Sequence, residues 1–104
     1  MGIVISTSDA ETAWNAYRLA NYSLQQGDSV KVFLMGKGVE SEVANAKYNM
    51  KDQVAKFMDA GGQIYACGTC MKSRNMTSTE TCSLSTMKDL YQIVVESDRV
   101  LTFG

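Results

Sequence analysis

The sequence contains no histidine and no proline, three cysteines among 104 residues, and charges that nearly cancel, ten basic against eleven acidic. Without histidine, the commonest general base near neutral pH and the commonest zinc ligand are both missing, so any chemistry has to rest on thiols, carboxylates or hydroxyls. An odd cysteine count without a secretory context argues against a disulfide framework and for thiols kept reduced. A formal net charge of −1, with both signs interspersed, leaves no electrostatic footprint for nucleic acid or an anionic membrane, and neither is expected as a partner. No stretch approaches the roughly 18 apolar residues of a membrane span. The opening MGIVISTSDAETA has no basic region ahead of its brief apolar run, so the expected compartment is the cytoplasm.

What is present is a composition 45% hydrophobic with no break in character, which reads as a single domain over residues 1–104. The chain is short for a layered α/β fold and leaves much of its surface exposed, so burying a face against another copy is expected to help it. GIVIS at 2–6 is a β-branched run followed by the polar STSD, and Ala13, Tyr17, Ala20 and Leu24 then recur at helical spacing up to Gly27. SVKVFLMG at 29–36 is the near-continuous apolar run of a strand covered on both faces, followed by a GKG loop. From 39 to 61, Val39, Val43 and Ala46 and then Met50, Val54, Phe57 and Met58 predict one broken helix or two short ones, ended by Gly61 and Gly62. QIYAC at 63–67 is a third strand, with the start of a short helix in MKSRN. A Thr/Ser-rich connector covers 76–83, Ser85 caps a helix with the stripe Met87, Leu90, Tyr91 and Val94, and RVLTFG closes as a strand. Strands alternating with helices predict a parallel α/β sheet, in which reactive groups gather at the carboxyl ends of the strands. Three loops share that edge: STSDAET, GKG and CGTC.

CGTC at 67–70 is the feature with chemistry in it. Cys67 ends a strand and stands where the next helix begins, so backbone N–H groups and the helix dipole would favour its thiolate. Lys72 and Arg74 add positive potential, Gly68 leaves room beside the sulfur, and Cys70 comes within reach if the turn is helical. Against this stands the reading of cysteine as a small apolar residue at a crowded junction. A thioredoxin-like redox pair is the usual association of CxxC beside a βαβ pattern, yet no proline is available to shape such a site. Zinc would need four ligands from Cys67, Cys70, Cys82 and a carboxylate, without histidine or a second CxxC, so no metal is expected. Sulfur transfer needs one activated, reachable cysteine and a cationic surround for an anionic persulfide, and Cys67 meets those requirements.

VKVFLMGKGV at 30–39, IYACGTCMKSRN at 64–75 and SLSTMKDLYQIVVESDRVLTFG at 83–104 together resemble the DsrE/DsrF/TusD family of small sulfur-relay proteins, over essentially the whole chain. The resemblance implies a three-layer α/β/α fold with a mostly parallel sheet of four to five strands, and assembly into dimers, trimers or hexamers. It also implies a persulfide carried on the strand-terminal cysteine, which is Cys67 here, and sulfur donor and acceptor proteins as partners. Cys70 departs from the family's pattern and is expected to assist or resolve. Many relatives lack the cysteine, so membership alone does not imply catalysis.

The hydroxyl-rich STSDAET loop admits an anion, as in FMN or a nucleotide, at backbone N–H groups, with Ser8 as a contact, but the stronger reading makes Ser8 or Asp9 an ordinary helix cap. No cofactor is expected. Asn45, Lys47, Tyr48 and Asn49 could line a pocket near Cys67, or simply face solvent. The reading is a cytoplasmic homo-oligomer that carries sulfane sulfur on Cys67, a possible sulfurtransferase, with Gly68, Thr69, Lys72, Arg74 and Ser8 around the anion. The alternatives are a thiol–disulfide switch using Cys67 and Cys70 as equals, and a non-catalytic ligand-binding or assembly module with buried cysteines.

Overall fold

In the computed structural model, which describes residues 1–41, 47–76 and 83–104, five strands form one all-parallel sheet in the order β4-β3-β2-β1-β5. The strands are β1 (Gly2–Ile5), β2 (Lys31–Leu34), β3 (Gln63–Cys67), β4 (Ser83–Ser85) and β5 (Val100–Phe103). The helices are α1 (Ala10–Gln25), α2 (Met50–Asp59), α3 (Gly68–Lys72) and α4 (Met87–Glu96), with a 3-10 turn at Gly36–Glu40. Val43, Ala46, Asn45 and Cys82 lie outside the described residues.

The strand order explains the layering. From β1 to β4 the chain steps across the sheet in one direction, so right-handed crossovers put α1 and α2 on one face. The return from β4 to β5 runs the other way, and α4 accordingly packs on the opposite face. Alternation along the strands matches: Ile3, Ile5, Val32, Leu34, Ile64 and Ala66 meet α1 and α2, whereas Phe33 and Cys67 meet Ile93 of α4. The result is the three-layer α/β/α arrangement that the family resemblance implies.

Each helix has a local reason to start where it does. The Asp9 carboxylate accepts from the Thr12 N–H at 2.9 Å and the Thr12 hydroxyl at 2.7 Å, which makes Asp9 the cap of α1. Ala13, Ala16 and Ala20 are small enough to bring α1 close to the sheet, and the Tyr17 ring meets Phe57 of α2 edge-on at 5.9 Å. Asn49 caps α2 through the Asp52 N–H. The cap of α4 is Thr86 instead of Ser85, with the Thr86 N–H donating to the Asp89 carboxylate at 2.8 Å. Ser85 is instead the last residue of β4, a three-residue strand between the connector expected over 76–83 and α4.

Packing at the carboxyl edge is tight where the chain leaves β2. A side chain on Gly38 would bring its Cβ 1.9 Å from the Ile5 carbonyl oxygen, a contact with backbone that cannot swing away. This close approach seats the GKG turn over the end of β1. Gly38→Ala is therefore expected to destabilise the fold by about 1–3 kcal/mol, as overpacking of a close-packed interior does, read as a lower urea midpoint. An unchanged midpoint would show that the turn is free to lift.

Candidate functional site

The side-chain alternation of β3 places Cys67 at the end of the strand, on the α4 face beside Phe33, where only 6% of it is exposed. The chain turns directly into α3, a helix of five residues with Cys67 as its cap, and the Cys70 N–H donates to the Cys67 sulfur at 3.4 Å. One helical turn then stacks Cys70 over Cys67, with the two Sγ atoms 2.7 Å apart and both thiols free. Cys70 is only half-buried, and its sulfur also accepts the Gly36 N–H at 3.2 Å. Gly36 sits at φ 55°, in the left-handed region that glycine adopts without strain, and this bend carries the backbone from the end of β2 to the sulfur.

The two thiols sit in unlike surroundings. Burial pushes the Cys67 thiol up, and its contact with Cys70 pushes the same way. Cys70 is held below the ordinary thiol range by its side-chain contact with Cys67, helped by the Gly36 N–H and the Arg74 charge and opposed by partial burial. Burial and the contact between the sulfurs thus work against a thiolate at Cys67 and in favour of one at Cys70. Arg74 is anchored by its Nε to the Glu40 carboxylate at 3.2 Å and by one terminal nitrogen to the Cys70 carbonyl at 3.1 Å. Among the described residues, no three Cys, Asp or Glu side chains come together in a way that could hold a metal ion.

A family model described as DsrE/DsrF-like matches residues 1–103. The chain belongs to the DsrE/DsrF-like family. Two relatives of this DsrE/DsrF-like chain are archaeal proteins, both described as uncharacterised. MK0008 of Methanopyrus kandleri is 33% identical over 89% of this chain and 83% of its own length. MJ0989 of Methanocaldococcus jannaschii is 35% identical over 89% and 88%. Among solved structures, the ychN protein from E. coli superposes with a TM-score of 0.82 at 22% identity, covering 98% of this chain and 97% of its own. BT1422 from Bacteroides thetaiotaomicron, a conserved protein of unknown function, gives 0.77 at 18% identity over 97% and 93%. At these identities the structural likeness speaks to the fold.

In this DsrE/DsrF-like chain the residues singled out from the sequence do not all converge. Cys67, Cys70 and Arg74 come together; Thr69 and Lys72 are exposed on α3 beside them. The site of an added Cβ on Gly68 lies 3.2 Å from the Ser85 carbonyl oxygen, so this glycine lets β4 end close by. Ser8 lies in the loop after β1, beyond β2 from the thiols, next to a helix start already closed by Asp9. Near the β1–β5 order reversal, where an open α/β sheet offers a ligand crevice, Gly104 packs against Ser6. A cleft of about 390 Å³ lined by Met1, Asp28, Asp98 and Arg99 lies at the amino ends of the strands and contains no nucleophile. The sequence reading missed Gly36 and Glu40; the only signal was that GKG and CGTC follow neighbouring strands and so share an edge.

The split between the thiols has a direct test in the DsrE/DsrF-like protein. Iodoacetamide should label Cys70 ahead of Cys67, on the order of tenfold faster, with a rate that levels off below the roughly 8.5 of a free thiol. Because Arg74 favours the thiolate, Arg74→Gln should move that plateau to higher pH. Equal labelling of both cysteines would contradict the assignment.

Proposed function

We propose that this protein is a cytoplasmic sulfur-relay carrier, which takes sulfane sulfur from a donor protein as a persulfide at CGTC and hands it to an acceptor protein. The observation that carries the reading is a half-buried thiol, Cys70, more accessible than Cys67, with thiolate-favouring groups around it and a second thiol in contact. The Cys70 thiolate attacks the outer sulfur of the donor persulfide and the donor leaves as its own thiolate. The product Cys70–S–SH is acidic, and its anion is favoured by the Gly36 N–H and Arg74 just as the thiolate is. An acceptor thiolate then attacks the outer sulfur and restores Cys70. Family resemblance puts the carrier at Cys67; its burial favours Cys70 for the encounter with a donor, with Cys67 as partner thiol. Exposed Thr69 and Lys72 border the approach to the sulfur.

Self-association belongs to the same reading. The outer side of α4 presents Met87, Tyr91, Val94 and Val95 at helical spacing, with Tyr91 67% and Met87 58% exposed, and Leu84 of β4 is exposed as well. Monomeric proteins seldom leave so continuous an apolar stripe in water. A second copy of the chain is the proposed cover, and no helix among the described residues is long and apolar enough to cross a membrane instead.

Intact mass after exposure to a low-molecular-weight persulfide tests the carrier. Cys67→Ser should gain a sulfur that a reductant removes, while Cys70→Ser should lose at least about nine-tenths of the loading rate. Sulfur on Cys70→Ser alone would return the carrier role to Cys67, and no sulfur on either variant would end the proposal. For assembly, Tyr91→Glu together with Val94→Glu should reduce the mass seen by light scattering to that of one chain; a wild-type protein that is already monomeric would rule it out.

A further inference from the structure

The contact between the two sulfurs has a use that a one-cysteine carrier would not need. We propose that the pair also discharges the sulfane sulfur as sulfide: Cys67 attacks the inner sulfur of a persulfide on Cys70, closing a Cys67–Cys70 disulfide and expelling hydrosulfide. This rests on Cys70 being loaded as described above, and it adds a reductive outcome to the relay.

The geometry selects the inner sulfur. Once Cys70 is loaded, its inner sulfur is the same Sγ that the α3 turn holds 2.7 Å from the Cys67 Sγ. Roughly 0.65 Å of movement separates that contact from the ~2.05 Å of a disulfide bond. In-line displacement requires the leaving sulfur to lie opposite the attacker, so the outer sulfur would point away from Cys67. The Gly36 N–H, 3.2 Å from the Cys70 sulfur, and the charge of Arg74 stand near that sulfur and would favour the hydrosulfide as it departs. Cys67 is buried against Phe33 and Ile93, poorly placed to meet a donor protein but in contact with Cys70. An external thiol has to approach through solvent, where the exposed outer sulfur comes first. The choice between relay and discharge is therefore a choice between an intermolecular attack on the outer sulfur and an intramolecular one on the inner.

The balance closes without another reactant. Loading converts R–S–SH and the Cys70 thiolate into Cys70–S–SH and R–S⁻. Discharge converts Cys70–S–SH and the Cys67 thiol into the Cys67–Cys70 disulfide and H₂S, the Cys67 proton leaving with the expelled sulfur. The two cysteine sulfurs together lose two electrons and the sulfane sulfur gains them. Resetting the dithiol for another turn requires a thiol reductant, two equivalents of monothiol or one of dithiol.

A single-turnover experiment decides it. Reduced wild-type protein, freed of reductant, is mixed with a low-molecular-weight persulfide beside Cys67→Ser, Cys67→Ala and Cys70→Ser, and released sulfide and intact mass are followed together. The proposal expects about one sulfide per wild-type chain with a loss of two hydrogens, and peptide mapping that puts the bridge between Cys67 and Cys70. Both Cys67 variants should keep the added sulfur and release sulfide at least tenfold more slowly. A wild-type protein that holds a stable persulfide as its Cys67 variants do would overturn discharge and leave the relay standing. Absence of sulfur on the Cys67 variants, with no sulfide from the wild type, would remove both. A bridge to Cys82 in place of Cys67 would also overturn it, and the wild-type arm decides alone should the Cys67 variants fail to fold.

Discussion

The site depends on the two-residue period of β3. Ile64 and Ala66 are committed to the face covered by α1 and α2, so the next residue, Cys67, has to emerge on the opposite face at the strand's end. A shift of one residue in the register of β3 against β2, where Val32 pairs Ile64 and Phe33 pairs Tyr65, would exchange those faces. It would bury the wrong atoms against α1 and α2 and take the cysteine away from Phe33 and Ile93. The hydrophobic demand of the core therefore sets the position of the Cys67 sulfur before any interaction specific to the thiol is considered.

The second thiol owes its character to convergence of three separate pieces of chain. The α3 turn brings Cys70 over Cys67, the GKG turn after β2 delivers the Gly36 N–H from 34 residues earlier, and Arg74 comes from just beyond α3 with Glu40 holding its guanidinium. The Arg74–Glu40 pair is partly exposed and contributes little to stability, on the order of 0–1 kcal/mol. Its effect is to fix where the positive charge stands. The tight seat of Gly38 on the Ile5 carbonyl does the corresponding work for the Gly36 N–H. Removing either positioning contact would weaken the preference for a thiolate at Cys70.

Much of the fold was legible because its signals are local. The β-branched run at 2–6, the apolar run around Lys31–Leu34, the Ala-rich stripe of α1 and the glycine stops each state a preference that the packed molecule keeps. β4 was not legible: three residues with the sequence SLS carry almost no strand propensity, and they are extended because they pair with Tyr65, Ala66 and Cys67 of β3. The cap of α4 moved from Ser85 to Thr86 for the same reason, since Ser85 was already engaged in that pairing. Of the site, the cysteine pair and Arg74 were visible as neighbours in sequence. The surroundings of Gly68 and Ser8 were not legible because both depend on what lies across from them, a carbonyl at the end of β4 in one case and a helix capped by Asp9 in the other.

The amino-acid sequence by itself determined that this chain forms an alternating α/β sheet, that it belongs to the DsrE/DsrF-like family, and that two thiols stand three residues apart beside a strand end. The sheet follows from periodicity and turn residues, which act over a few residues, and the family from a match over residues 1–103. Only the tertiary structure decided which thiol is the acidic one. A sulfur's proton affinity answers to burial and to whichever donors and charges face it. At Cys67 the facing groups are Phe33 and Ile93, while at Cys70 they include the N–H of Gly36, partners that the folded sheet supplies from far along the chain.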